Sequence, residues 1–80
     1  MIGMDRAGTI AALGEGALIE GFALAGVLLR PAEDPAAVRS AWRELPQDVV
    51  VVILTKTAAL ALGSAVVEST SYPITVVMPS

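Results

Sequence analysis

Two short stretches hold residues whose types and spacing suit chemistry: Gly14-Glu15-Gly16 with Gly21, and Thr55-Lys56-Thr57. The first invites comparison with a dinucleotide fingerprint, whose glycines open a tight turn and let a pyrophosphate approach the backbone. The third glycine of that pattern falls on Ile19, and Glu15 would face a pyrophosphate with like charge. The stretch therefore reads as a tight turn from strand to helix. Thr55-Lys56-Thr57 lacks the phosphate-cradling glycines of a P-loop, so it reads as a helix cap beside a solvated lysine. A phosphoryl-accepting receiver needs acidic residues after its first strand and an aspartate ending its third, where this chain offers Glu15 and Thr55. No pair of carboxylates is arranged for glycosidic or proteolytic work, and Ser64, Ser69 and Ser71 have no base partner. The chain has no cysteine and no histidine, which removes thiol nucleophiles, histidine bases, disulfides and the usual zinc sites together. The expectation is a protein without catalytic residues, cofactor or metal.

The totals narrow the class further. Eighty residues make one domain, spanning residues 1–80, with Met1–Ala7 read as a disordered leader. The chain is 55% hydrophobic with a mean hydropathy of +0.73. Its longest uncharged stretch, Ser69–Ser80, contains Pro73 and Pro79 and is too short to span a bilayer, so no membrane insertion is expected. The leader carries no basic region followed by an apolar core, so no signal peptide is read there. The formal net charge is −3 and the five basic residues form no run, which argues against a nucleic-acid partner.

The elements that position these residues are organised around Asp48–Thr55. Its six successive apolar residues, mostly β-branched, predict a central strand of a parallel sheet buried on both faces. Thr9–Leu13 reads as the first strand. Ala17–Ala25 reads as a helix with Leu18, Phe22 and Ala25 on one face. Gly21 is expected where that helix crosses the sheet closely, and Gly26 is expected to stop it in a left-handed conformation. Val27–Leu29 is a short second strand ended by Arg30-Pro31. Asp34 caps the next helix, with Pro35 at its first position and Val38, Ala41, Trp42 and Leu45 on its core face. Trp42 reads as core, with an interface role as the alternative. Pro46 stops that helix. Thr57 is expected to cap a third helix from Ala58 to about Glu68, with Ala59, Leu62 and Val66 on one side. Pro73 opens the last strand, Ile74–Met78, and Pro79 ends it. The order β-α-β-α-β-α-β predicts a three-layer α/β/α domain around a four-stranded parallel sheet of order 2-1-3-4, as in flavodoxin-like and receiver-like folds. The last strand is then an edge. Ile74, Val76 and Met78 join Trp42 as candidate interface residues, through which the isolated chain would form homo-oligomers unless Pro73 and Pro79 blunt the edge.

Several of these segments together resemble a known family. Ile10-Ala11-Ala12-Leu13-Gly14-Glu15, followed by Glu20-Gly21-Phe22-Ala23-Leu24-Ala25-Gly26-Val27, resembles the opening of the F-subunit family of the V/A-type (vacuolar/archaeal-type) rotary ATPases. That family begins with a short strand, a Gly-Asp/Glu turn and a Gly-Phe-x-Leu-Ala-Gly helix end. The similarity continues in Asp48-Val49-Val50-Val51-Val52-Ile53-Leu54-Thr55 and in Pro73-Ile74-Thr75-Val76-Val77-Met78-Pro79-Ser80, which is like the family's final Pro-to-Ile-Pro-Ser strand. The resemblance implies a non-catalytic component of the central stalk, cytoplasmic and peripheral to the membrane. Such a component docks on the coiled-coil shaft subunit and helps couple ATP hydrolysis or synthesis to ion transport, hydrogen ions included. Family members usually continue into a C-terminal helix beyond the position of Ser80, so docking is the part that carries over. The alternatives are a stand-alone module that binds a small molecule and a receiver-like regulatory fragment.

Overall fold

A computed structural model of the chain describes residues 8–79, so the leader reading of Met1–Ala7 and the motif residue Ser80 lie outside the described residues. The elements run β1 (Thr9–Gly14), α1 (Gly16–Ile19), a 3₁₀ helix (Glu20–Ala25), β2 (Leu28–Pro31), α2 (Pro35–Arg43), β3 (Val49–Leu54), α3 (Lys56–Leu62), α4 (Ser64–Val67) and β4 (Ile74–Val77). All four strands are parallel, in the order β2-β1-β3-β4 that the element pattern predicts.

The core lies between one face of the sheet and α2, α3 and α4. Ala11 and Leu13 of β1 meet Val52 and Leu54 of β3 in register, and Val38 of α2 and Ala58 of α3 close over them. Trp42 packs against this cluster, as its spacing predicts; Leu45 packs there too, although α2 ends at Arg43, short of Leu45 and of the Pro46 expected to stop it. Thr75 of β4 points to the same side, because its hydroxyl donates to the Val67 carbonyl at 2.8 Å. The side chains between these positions therefore face the other way. On that second face Ala12 and Ile19 are fully buried, and α1 packs on β1 and β2.

β3 departs from its expectation on this second face. Val49, Val52 and Leu54 are buried, but Val51 and Ile53 are only half-buried. The shortness of α1 is the reason. One helical turn and a 3₁₀ segment cover β1 and β2 and leave two apolar rows open, Ile10–Val51–Ile74 and Ile53–Val76. Ile10 is 43% exposed and Val76 50%. Val49 and Val52 share the core despite an odd spacing because the β1–β3 register shifts between Thr9 and Ile10, which makes Val50 an extra residue. Gly8 accommodates that bulge. It has a φ of 85°, and a Cβ there would lie 2.7 Å from Val50 Cγ1. Asp48 fastens the same corner, accepting the Thr9 N–H on its carbonyl at 2.8 Å and the Thr9 hydroxyl on its carboxylate.

The helix between β1 and β2 is also corrected. The expected face of Leu18, Phe22 and Ala25 is not the buried one: Leu18 is 55% exposed, Ala25 is exposed, and Ile19 is the residue inside. Helical geometry tightens at Glu20 to the 3₁₀ form with three residues per turn, so a stripe spaced for 3.6 no longer holds one side. Gly21 makes no close approach to the sheet, since nothing lies within 4 Å of a Cβ built there. Gly26 does end the segment in the left-handed region, at φ 79° and ψ 16°.

β2 runs through Arg30-Pro31 instead of stopping before it. Ala32 N–H donates to Gly14 O at 2.8 Å, so the Pro31 nitrogen points out of the sheet edge and its missing donor costs no ladder bond. α2 begins as expected, with the Asp34 carboxylate accepting the Ala37 N–H at 2.8 Å and Pro35 in the first turn. The third helix breaks at Gly63, whose φ is 91°, into α3 and α4, and its cap is Thr55 instead of Thr57. Among the described residues no helix is long and apolar enough to cross a membrane.

Candidate functional site

In open parallel sheets ligands settle at the carboxyl ends of the strands, where the strand order reverses. Here that point lies between β1 and β3, and the two chemically interesting stretches meet there. Gly14 ends β1 with a φ of 149°, and a Cβ on it would overlap the Thr55 side chain. Thr55, 1% exposed, fills the crevice between the two strand ends. Its N–H donates to Leu13 O at 3.2 Å, and its hydroxyl does two further things. The oxygen accepts the Ala58 N–H at 3.2 Å, capping α3, and the proton is given to Glu15 Oε1 at 2.6 Å.

That donation sets the electrostatics of the site. The Glu15 carboxyl is held below its ordinary value first by the Thr55 hydroxyl, then by its own backbone N–H and the Thr57 hydroxyl, against a smaller opposing effect of burial. Glu15 is thus a committed hydrogen-bond acceptor, a poor general base near neutral pH. On the other side Gly16 N–H donates to Glu33 Oε2 at 2.9 Å, which links the β1 turn to the segment after β2. Three loops are joined by side chains: Glu15 to Thr55 across β1 and β3, and Glu33 to Gly16 across β1 and β2. Lys56 is exposed beside them. No group of three or more metal-ligating side chains occurs among the described residues.

The glycine-rich turn is the strand-to-helix turn its residues predict, and its first helical amide is already occupied by Glu33. Thr55-Lys56-Thr57 is the helix cap with a solvated lysine that the plainer reading expects. Glu33 escaped the sequence reading. The signal available for it was its place just beyond Arg30-Pro31, at the same end of the sheet as Gly14. The motif residues of the first crossover lie elsewhere. Phe22 is half-buried, Leu24 is 97% exposed, and Ala25 leads into Gly26 on the surface.

The described cavities sit at the opposite end of the sheet. One of about 280 Å³ is lined by Trp42, Leu45, Pro46, Val49, Tyr72 and Pro73 among others, and a second of about 210 Å³ shares Trp42, Tyr72 and Pro73. Trp42 therefore belongs both to the core margin and to an accessible groove. Of the other candidate interface residues, Ile74 and Met78 are half-buried and Val76 is exposed. Compared with family models, curated proteins and solved structures, the chain matches none.

Proposed function

We propose that this chain is a non-catalytic docking module, similar to the F-subunit family of the central stalk of V/A-type rotary ATPases. The family assignment rests on the Gly14-Glu15 turn, the Gly21–Gly26 segment, the Asp48–Thr55 strand and the Pro73–Ser80 ending. The observation that carries the docking role is the placement of polar and apolar groups. The crest over the strand ends is filled by Thr55 and tied by Glu15 and Glu33, whereas apolar surface stands open at Leu24 and on the rows of Ile10, Ile53 and Val76. Such a surface binds a protein by burial and performs no bond chemistry. In this reading the partner is the coiled-coil shaft subunit, and the work of the module is to transmit rotation between nucleotide turnover and ion transport.

The test is co-expression with the coiled-coil shaft subunit of a V/A-type rotary ATPase. Stable co-elution in equal amounts is expected, and separate elution at micromolar concentrations refutes the proposal. A second reading, a small-molecule-binding module, is favoured by the groove between Trp42 and Tyr72. A compound retained through purification and detected by mass spectrometry distinguishes it.

A further inference from the structure

Among the described residues β4 lies at one side of the sheet and has one neighbouring strand, β3. Met78 N–H donates to Leu54 O at 2.8 Å, and along a strand alternate residues turn their backbone groups to opposite sides. Val76 therefore faces β3 with Met78, while Thr75 and Val77 turn their N–H and C=O groups out of the sheet. The two edges of the sheet differ in chemistry. β2 carries Arg30 and Pro31, a charge and a ring that blunt an edge. Between Ile74 and Met78 there is neither, and the whole of Ser69–Ser80 is uncharged. Val76 and Val77 on this strand are 50% and 36% exposed.

We infer that β4 is a self-association edge, through which two copies of the chain pair antiparallel about a two-fold axis at Val76. The register follows from the outward groups. Thr75 opposite Val77 of the second copy forms a pair that exchanges both hydrogen bonds, and symmetry repeats it, so every outward group of Thr75 and Val77 is matched. Val76 then meets Val76 of the second copy in the pairing geometry that brings side chains closest. The same register sets Pro73 opposite Pro79 at outward positions that have no N–H to donate. The prolines end the ladder on both sides, which makes the contact a short closed pair and stops it from extending along the chain. Charge selects the same surface. Copies of formal charge −3 repel over most of their surfaces, and repel least across an uncharged edge. The open rows of Ile53–Val76 and Val51–Ile74 also become continuous across the axis. This inference is independent of the stalk reading.

Sedimentation equilibrium of the full chain tests it. A monomer–dimer equilibrium with a midpoint in the micromolar range is expected, as suits a small contact. Val76→Lys sets two ammonium groups across the axis and should weaken association by at least about tenfold. Well below the midpoint, where both chains are monomeric, the melting curve should stay that of the parent, since Val76 is a half-exposed edge residue; above it the parent alone should melt higher as concentration rises. Amide hydrogen exchange on the unaltered chain gives a second readout: Thr75 and Val77 should exchange more slowly as concentration rises, and Val76 should not. A monomer throughout the micromolar range, a dimer that Val76→Lys leaves intact, growth beyond the dimer, or concentration-independent exchange at Thr75 and Val77 each overturns the inference.

Discussion

Replacing Thr55 with valine tests the site directly, because the two side chains have nearly the same shape and the residue is fully buried. The change leaves no cavity, so the cost comes from polar contacts alone. Loss of the cap on Ala58 N–H costs about 1 kcal/mol. Loss of the donation to Glu15, partly buried and charge-assisted, costs a further 1 kcal/mol or so. The sum, about 2 kcal/mol, corresponds to a melting temperature lower by roughly 8–16 °C for a chain of this size. Acid separates the two parts. The carboxyl of Glu15 is held below its ordinary value, so its contribution is complete above about pH 4.3, the usual unfolded value, and is lost as pH falls through the lower native value. Urea unfolding from neutral pH downward should show the gap between parent and Thr55→Val narrowing in that acidic window, with the cap's share left over. Thr55→Ser keeps the hydroxyl and should keep the parent's pH dependence. Equal stability of parent and Thr55→Val at neutral pH would falsify the assignment. A gap unchanged down to acid unfolding would give the whole effect to the cap and refute the Glu15 contact.

Three further outcomes are expected. Gly14→Ala should destabilise by roughly 2 kcal/mol or more and Gly26→Ala by about 1 kcal/mol, the first through overlap with Thr55 and the second through its left-handed backbone, whereas Gly21→Ala should melt within a few degrees of the parent. Thermal denaturation of the three variants checks the order. Asp34→Ala should cost about 1 kcal/mol through loss of the cap on Ala37 N–H, measured by urea unfolding. Isothermal titration with ATP and with ADP should give no micromolar one-to-one binding, because the first amide of α1 is taken by Glu33 and the crevice is filled by Thr55.

The layers of the fold were legible because burial writes itself into runs and periods. The four valines of β3 with Pro46 just upstream favour a strand over a buried helix, and the Asp34-Pro35 start with the spacing of Val38, Ala41 and Trp42 marks a helix. The strand order followed from the alternation of strands and helices, with right-handed crossovers and one reversal after the first unit as in flavodoxin-like folds. What stayed hidden depends on neighbours far apart in the chain. The choice of Thr55 over Thr57 as cap is made by the space above Gly14, far upstream in the chain. Glu33 acquires its role only once β2 lies beside β1. The change to 3₁₀ geometry at Glu20 removed the expected stripe on Leu18, Phe22 and Ala25, and hydrophobic spacing carried no warning of it. The half-bare face of β3 had the same origin, since a continuous apolar run looks alike whether one covering helix or two lie over it.

The strand order also dictates when the chain can fold during its own synthesis. β1 meets β2 through pairs such as Ala11 with Leu28, which lie near one another in sequence. Its other side waits for β3, where Ala11 pairs with Val52. Until that late segment emerges, the nascent half-domain carries an alanine-rich strand with one unsatisfied flank and no core above it. Closure of so distant a pair is entropically slow, and the interval is the one in which a chaperone or a wrong strand has most opportunity to act.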